Sequence, residues 1–409
     1  MTVPRVSLYA ALGLLLVAAS GPSVAMPAAG LKAPGPSHRL QARARHKIGL
    51  GNILSTKDGG QIFGFDINQF GNDGVLASAQ TVSPSGETLV SMETFDQDTG
   101  KITKLFAHHL NKRDSYSVDG IFAGDVALVT HYIIPKGTIY AKREYQVMNP
   151  VTAEKFTGVW TPTIKDIDVQ QASTDQTSAT AALFAIELKN QDNPIVVVTN
   201  VGANTVSKVI KIDPNLLGLG NGPQFAQYTA ANQAVIAFSP DGGAVGGKAP
   251  VNMLIDLSTG KTSQFTGYNN GFYHAGYVNG IAADPNTGVA VTTTELNSQV
   301  EFYDLNTKSG IVADQLPCTT DTSQTTSGSG IAVDPVNKLF LVTEQEYFAP
   351  PSCRQSSSAI VVYDESGNYV ETIPGFKFAI GESAPVLNPS KRMGWAFGPG
   401  FNQLQQFFY

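Results

Sequence analysis

Short apolar runs separated by polar turns recur along the second half of the chain. Residues 280–285 read Gly-Ile-Ala-Ala-Asp-Pro, and residues 330–335 read Gly-Ile-Ala-Val-Asp-Pro. Each copy precedes a second apolar run, a gap, and a run ending in Tyr-Asp at 300–304 or 360–364, after which a fourth run follows. Four strand-length runs in a unit of about 50 residues predict a repeated four-stranded unit.

Weaker copies of this unit extend the series toward the start of the chain. Asp-x-x-Thr-Gly occurs at 96–100 and 256–260, and predicts a hairpin between third and fourth strands because glycine supplies the positive φ that tight turns require. The runs 236–242 and 82–86 end in Ser-Pro turns, and we interpret both as degenerate copies of the first strand with its turn.

Two further units, near 117–160 and 164–213, follow from spacing alone. The fold class predicted is all-β, a β-propeller of seven four-stranded blades. Six or eight blades remain open alternatives. A β-sandwich or a solenoid is the competing interpretation, although a solenoid needs a shorter and more regular period.

The two ends of the chain complement each other. Residues 386–409 supply three strands, one short of a blade. Residues 61–66 resemble 299–304, so a strand near the N-terminus is expected to pair with the last blade and remove its exposed edge. Residues 61–80 are alternatively a hairpin of third and fourth strands, which is why the number of blades stays open.

The first residues predict export. Arg5 precedes an uncharged apolar run at 8–19, and residues 23–25 read Ser-Val-Ala, the pattern after which signal peptidase cleaves. We therefore predict a signal peptide at 1–25, a Pro/Ala/Arg-rich linker or pro-segment at 26–47, a propeller domain at 48–409, and secretion to the extracellular space or the periplasm. A retained membrane helix is the alternative, but the run is too short to span a bilayer.

Charge and motifs exclude several classes of function. The formal net charge is −6, and the basic residues form no stripe outside the linker, so no nucleic-acid partner is expected. The chain lacks the Gly-x-Ser-x-Gly, His-Glu-x-x-His, phosphate-loop and dinucleotide motifs. No cofactor is evident, no membrane span is expected, and we predict a monomer.

The only cysteines are Cys318 and Cys353. An even pair in an exported chain predicts a disulfide, and on the blade assignment both cysteines lie in segments at the same face of the propeller. The bond would stiffen two long polar segments at that face. Two unpaired thiols are the alternative.

Polar residues are expected in a ring around the central channel. Aligning the units places Asp119, Asn279 and Ser329 just before innermost strands, with Ser383 and Ser78 there in weaker copies and Glu382 beside Ser383. Propeller ligands usually occupy this depression, so these residues are candidate ligand-binding groups. Loop ends are polar in any protein, which is the alternative explanation.

Aromatic residues are concentrated in the connection before residue 278. Phe272, Tyr273 and Tyr277 surround His274 there. Aromatic faces beside one group that titrates near neutral pH suit a sugar, a lactone or another small ring. A packed surface loop with an exposed histidine is the alternative.

The Gly-Ile-Ala-x-Asp-Pro, Val-x-x-Tyr-Asp and Thr-Gly motifs together resemble the YncE-like and lactonase-like seven-bladed propellers, over residues 236–376. The resemblance implies the propeller fold. Some members of that group are lactonases, some are sugar-acid hydrolases with a channel-bound divalent metal, and others are exported binding proteins. A channel-bound divalent metal is therefore conceivable, but its ligands are unknown.

These observations favour a secreted binding protein that uses the loop-bearing face around the channel. Its expected partner is a small molecule, a glycan or an extracellular protein. The alternative is a lactonase-like hydrolase or isomerase acting on a small lactone or sugar-derived ring. In that case His274 would be the general base or acid, and Asp119, Glu382 or Asn279 would hold a metal or the substrate.

Overall fold

The structure is a computed structural model. It describes residues 48–409 apart from segments 57–58, 70, 83–86, 111–114, 124–125, 135–141, 149–154, 157–166, 175–179, 188–192, 201–202, 204, 214–223, 229–231, 239–250, 267–277, 295–298, 316–327, 345–347, 350–353, 356–357, 377–383, 399 and 401. Across this part of the chain, no helix is long and apolar enough to cross a membrane.

The described residues form thirty strands, of which β1 (Gly49–Ser55) comes first. Three sheets of consecutive strands follow. The first sheet contains β2 (Gln61–Ile67), β3 (Asp73–Val82), β4 (Glu87–Asp96) and β5 (Ile102–Leu110). The second contains β6 (Ser115–Ala123), β7 (Val126–Ile134), β8 (Lys142–Met148) and β9 (Lys155–Phe156). The third contains β10 (Ile167–Thr174), β11 (Thr180–Glu187), β12 (Pro194–Asn200) and β13 (Thr205–Lys211).

Three more sheets continue the series. The fourth contains β14 (Gln224–Tyr228), β15 (Gln233–Phe238), β16 (Val251–Asp256) and β17 (Thr262–Thr266). The fifth contains β18 (Val278–Ala283), β19 (Val289–Thr294), β20 (Gln299–Asp304) and β21 (Ser309–Gln315). The sixth contains β22 (Gly328–Asp334), β23 (Leu339–Glu344), β26 (Ser358–Asp364) and β27 (Tyr369–Phe376), with a separate two-stranded sheet of β24 (Phe348–Ala349) and β25 (Arg354–Gln355) between its second and third strands.

The seventh sheet is composite. It contains β28 (Val386–Asn388), β29 (Met393–Phe397) and β30 (Gln403–Phe408), and β1 is its fourth strand. β1 and β30 are antiparallel, with Ile53 opposite Gln405 and Leu54 opposite Leu404. Both ends of the described chain therefore lie in one sheet.

All seven four-stranded sheets are antiparallel meanders whose first strands are innermost. The first strands contact one another in an unbroken cycle, β2 to β6, β10, β14, β18, β22, β28 and back to β2. The predicted all-β propeller is confirmed. Strand direction alternates, so two faces can be defined. The turn face carries the turns between first and second and between third and fourth strands, such as 284–288 and 305–308. The loop face is the opposite end.

The middle strands are buried on both sides because each sheet packs between two others. β23 is buried at every position, whereas the outermost strand β1 buries only Leu54. Between the fifth and sixth sheets, Phe302 contacts Phe340 and Tyr363 edge to face, with ring centroids 5.8 and 5.7 Å apart. Such interfaces between sheets form the core and fix the sheets against one another.

The hairpin prediction for Asp-x-x-Thr-Gly is confirmed at both sites. Gly100 and Gly260 adopt φ of 67° and 80°, in the left-handed region that favours glycine. In each hairpin, Oδ1 of the first Asp accepts hydrogen bonds from the backbone N–H groups two and three residues later; at Asp256 both distances are 2.8 Å. The repeats in the fifth and sixth sheets also have the predicted strand order.

The assignment of 236–242 and 82–86 to first strands was wrong. Ile236 lies on β15, and Val82 ends β3, so both belong to second strands. First and second strands are both apolar and both lead into a turn or a loop, so an apolar run followed by Ser-Pro does not distinguish them.

The candidate strand at 61–66 was also wrong. Residues 61–66 lie on β2, the innermost strand of the first sheet, where Phe65 packs edge to face on Phe397 at 5.1 Å. The strand that pairs with the end of the chain is β1. Its side chains are mostly exposed, so it carries little of the alternating apolar pattern by which a strand is recognised in a sequence.

Candidate functional site

Asn279 and Ser329 occupy equivalent positions near the loop-face ends of two adjacent innermost strands. Between β18 and β19, Val278 pairs with Thr294 and Gly280 with Thr293, which leaves Asn279 as the extra residue of a β-bulge. Between β22 and β23, the same irregularity leaves Ser329 as the extra residue. Such bulges are common beside functional sites. The structure therefore brings these two predicted site residues onto neighbouring strands.

The glycine after each bulge allows the innermost strands to approach closely. A Cβ atom on Gly280 would lie 3.3 Å from Cα of Gly330, and one on Gly330 would lie 2.5 Å from Cα of Ala384. Neither position has room for a side chain without movement of a neighbouring backbone. This packing gives a physical reason for the repeated Gly-Ile-Ala motif, and it sets the spacing between the strands that carry Asn279 and Ser329.

Asp119 is placed differently from the prediction. It lies within β6, four residues after the strand begins, and pairs in regular register with Thr130. No bulge interrupts the pairing of β6 with β7. The three residues expected just before innermost strands therefore all lie inside those strands, and each directly precedes a Gly-Ile pair. The β-bulge distinguishes Asn279 and Ser329 from Asp119.

The other predicted site residues lie outside the described residues, so their roles stay predictions. They are Phe272, Tyr273, His274 and Tyr277 of the connection between the fourth and fifth sheets, Glu382 and Ser383 before β28, and Cys318 and Cys353.

A buried polar network lies between the fourth and fifth sheets, which that connection joins. Tyr303 on β20 donates a hydrogen bond to the Glu301 carboxyl, and its hydroxyl lies 3.1 Å from Oγ1 of Thr292 on β19. Asn252 on β16 approaches the same hydroxyl from the fourth sheet. All four side chains are at most 1% exposed. The network joins the two sheets through polar groups rather than through apolar packing alone.

Burial controls the protonation of this network. Desolvation raises the pKa of Glu301 to about 7, against the opposing effect of the hydrogen bond from Tyr303. Desolvation, followed by the nearby Glu301 charge, raises the pKa of Tyr303 well above its ordinary value. Glu301 therefore exchanges a proton near neutral pH, while Tyr303 stays protonated and keeps its donor.

Two more buried carboxyls lie in comparable places. Glu344 ends β23 at the loop face, opposite Gly328 and Ala359, and burial raises its pKa well above the ordinary range. Glu93 on β4 lies three residues before the hairpin Asp96, as Glu301 lies three before Asp304, and it is 1% exposed. Neither Glu93 nor Glu301 was predicted as a site residue from the sequence. The available signal was a charged residue inside a run that is otherwise apolar.

This arrangement favours positioning and binding over chemistry by the buried acids themselves. A fully buried carboxyl can hold a proton and fix strand ends, but it does not reach a ligand in solution. Among the described residues, no group of three or more His, Cys, Asp or Glu side chains could hold a metal ion. Asn279 and Ser329, at the loop-face ends of innermost strands, remain the described positions closest to the expected channel site.

Comparison with known proteins adds support for the fold. No protein-family model matches the chain, and no curated protein matches its sequence. The crystal structure of the RRP9 WD40 repeats superimposes with a TM-score of 0.55 at 11% identity, covering 89% of this chain and 99% of that one. Chaetomium thermophilum Sqt1, bound to the N-terminus of the ribosomal protein L10, gives 0.49 at 8% identity, covering 89% and 100%. The RRP9 similarity shows a β-propeller fold and nothing finer, and the Sqt1 similarity is too low to support an argument.

Proposed function

We propose that this chain is an exported binding protein that takes its ligand on the loop face, around the ends of β18 and β22. One observation carries the proposal: equivalent bulges place Asn279 and Ser329 on adjacent innermost strands that glycines hold close together. Buried carboxyls flank this position, Glu301 between the fourth and fifth sheets and Glu344 between the fifth and sixth. Polar groups are thus concentrated in one sector of the ring.

The expected partner is a small molecule, a glycan or an extracellular protein. Extracellular or periplasmic location rests on the predicted signal peptide at 1–25. The proposed relationship to YncE-like propellers is based on the motifs in residues 236–376. The buried, repeated Gly-Ile-Ala strands are consistent with it.

We further propose that the seven sheets are the blades of one closed ring, in which β1 completes the seventh blade. The unbroken cycle of contacts between innermost strands supports this arrangement. So does the large apolar cluster that contains Phe65 and Phe95 of the first sheet with Trp395 and Phe397 of the seventh.

Binding to a glycan array and to a panel of small lactones tests the proposed site. We expect Asn279→Trp and Ser329→Trp to weaken binding to any positive probe at least tenfold, because a bulky side chain there obstructs the mouth of the channel. Val336→Trp is the matched control, since Val336 is exposed on the turn face and should bind as wild type. Thermal melting of each variant establishes that it is folded.

Three outcomes separate the hypotheses. Unchanged binding by both folded tryptophan variants would place the site elsewhere. Turnover of a lactone that is lost in His274→Ala would support the lactonase-like alternative instead. Binding without turnover, lost in the loop-face variants alone, supports the binding protein.

A further inference from the structure

Two adjacent junctions on the turn face have the same design. Asp284 ends the first strand region of the fifth sheet, and Asp334 does so in the sixth; both side chains are fully buried. Oδ1 of each accepts hydrogen bonds from backbone N–H groups of its own turn, at 2.7 Å from Asn286 and at 2.8 Å from Asn337. The two junctions differ at the second oxygen of the carboxyl.

At Asp334 that second oxygen has two donors. Nδ2 of Asn337 lies 2.7 Å from Oδ2, and the hydroxyl of Tyr409, from the seventh sheet, lies 2.8 Å from it. Desolvation raises the pKa of Tyr409 well above its ordinary value, so the donor stays protonated. Both oxygens of Asp334 therefore have hydrogen-bond donors at the junction between the sixth and seventh sheets.

At Asp284 both donors are replaced. Thr287 holds the place of Asn337, three residues after the Asp, and its hydroxyl donates to Oε1 of Glu365 at 2.8 Å. Glu365 is equivalent to Tyr409. Glu365 follows Asp364, which pairs with the first residue of β23, and Tyr409 follows Phe408, which pairs with the first residue of β29. Among the described residues, no N–H or O–H group donates a hydrogen bond to Oδ2 of Asp284.

The surrounding charges do not compensate Asp284. Lys338 pairs with Glu365, with Nζ 3.4 Å from Oε2. The hairpin between β20 and β21 also lies on the turn face of the fifth sheet. There, Oδ1 of Asp304 accepts a hydrogen bond from the backbone N–H of Asn306, and Lys308 donates one to Ser263 of the fourth sheet. These two lysines therefore interact with other groups. Lys338 and Thr287 both interact with the Glu365 carboxyl. Asp284 therefore has a carboxyl neighbour at the position where Asp334 has the Tyr409 hydroxyl.

We propose that Asp284 and Glu365 share one proton, carried on Oδ2 of Asp284 and donated to the Glu365 carboxylate, so that the junction of the fifth and sixth sheets is a pH-sensitive clasp. A hydrogen bond between the Asp284 and Glu365 carboxyls requires that one of them carry a proton, because two carboxylates have no donor and repel each other. Burial, and after it the Glu365 charge, raises the pKa of Asp284 to about 6, which agrees with this arrangement. When the proton leaves, two carboxylates face one another and the clasp loosens.

The direction of the pH effect follows from the raised pKa. The folded protein keeps the proton over a range in which the unfolded chain has already lost it. The contribution of the clasp is complete at low pH and declines as the pH rises through about 6. This pH dependence does not involve the ligand of the loop face, so its test is separate from the test of the proposed function.

Glu365→Gln tests the clasp. The glutamine amide supplies a donor to Asp284, which then needs no proton. We expect the melting temperature of the variant relative to wild type to rise steadily from about pH 4 to about pH 6.5 and then to level off. Tyr409→Phe is the matched control at the other junction. It should lower the melting temperature and show no such rise with pH, because it only removes a hydrogen-bond donor from Asp334.

Infrared difference spectra provide a second measurement. At pH 5, wild type should show one more protonated-carboxyl band than folded Asp284→Asn, whereas the bands of other buried acids cancel in the difference. A melting-temperature difference between wild type and Glu365→Gln that does not change with pH would overturn the proposal. So would the absence of the extra protonated band.

Discussion

Asn388 on β28 donates a hydrogen bond to the side chain of Gln97, which follows β4, with Nδ2 2.8 Å from Oε1. The two residues are 291 positions apart in the sequence, and both are fully buried. Nδ2 of Asn388 also lies 3.0 Å from the carbonyl oxygen of Gly71. These bonds join the seventh sheet to the first at the junction where the proposed ring closes.

Asn388→Ala should therefore lower the free energy of unfolding by about 1–3 kcal/mol, because it leaves buried groups of the first sheet without a donor. Urea denaturation at neutral pH measures the change. Asp98→Ala is the control at the same junction. It removes only the exposed ion pair with Lys391, worth about 0–1 kcal/mol. Equal effects of the two substitutions would contradict the special role of the buried amide.

Alanine at the two motif glycines should give graded effects. Gly330→Ala forces a Cβ to within 2.5 Å of the Ala384 backbone, whereas Gly280→Ala meets backbone at 3.3 Å. We expect the first to cost about 1–3 kcal/mol or more and the second less, because overpacking becomes steeper as the approach shortens. Chemical denaturation gives the order. The explanation for the repeated glycine fails if Gly330→Ala is as stable as wild type.

Stability should also depend on the proton of Glu301. Its raised pKa means that the stabilisation from the neutral form is complete below about pH 4.5 and is lost as the pH rises to about 7. At about 1.4 kcal/mol per pKa unit, the loss is at most about 3–4 kcal/mol. Comparing the free energy of unfolding of wild type with that of Glu301→Gln across this range isolates the contribution.

Tyr303→Phe refines that experiment. The tyrosine hydroxyl lowers the pKa of Glu301 by donating to the carboxylate, so its removal should move the end of the pH-dependent decline to higher pH. A shift toward lower pH would show that the hydroxyl does not support the charged form.

The disulfide predicted between Cys318 and Cys353 can be tested directly. Mass analysis after alkylation without reductant should show no modified cysteine. After reduction, the same analysis should show both cysteines modified. Cys318→Ser should then destabilise the protein by about 2–4 kcal/mol, since the bond closes a long loop. Alkylation of both cysteines in the unreduced folded protein would disprove the bond.

Much of the fold was predictable because the repeats are explicit. Gly280 and Gly330 fix equivalent strands, and the turns at Gly100 and Gly260 follow from glycine conformation. Ile236 was assigned to the wrong strand because first and second strands share one apolar pattern. β1 was missed because only Leu54 is buried in this strand, so its sequence lacks an alternating apolar pattern.

The candidate site was only partly predictable. Asn279 and Ser329 were found through the repeat, whose alignment is local in sequence. Glu301 was missed because it is buried where the fourth and fifth sheets pack, and packing between sheets is not visible in one strand.

The close approach at Gly280 and Gly330 separates architecture from recognition. Backbone, not side chains, sets the distance between the two innermost strands, so the residues at 279 and 329 do not support it. Different side chains at positions 279 and 329 are therefore expected to leave the backbone of these two strands unchanged, so sequence can vary there without cost to the scaffold.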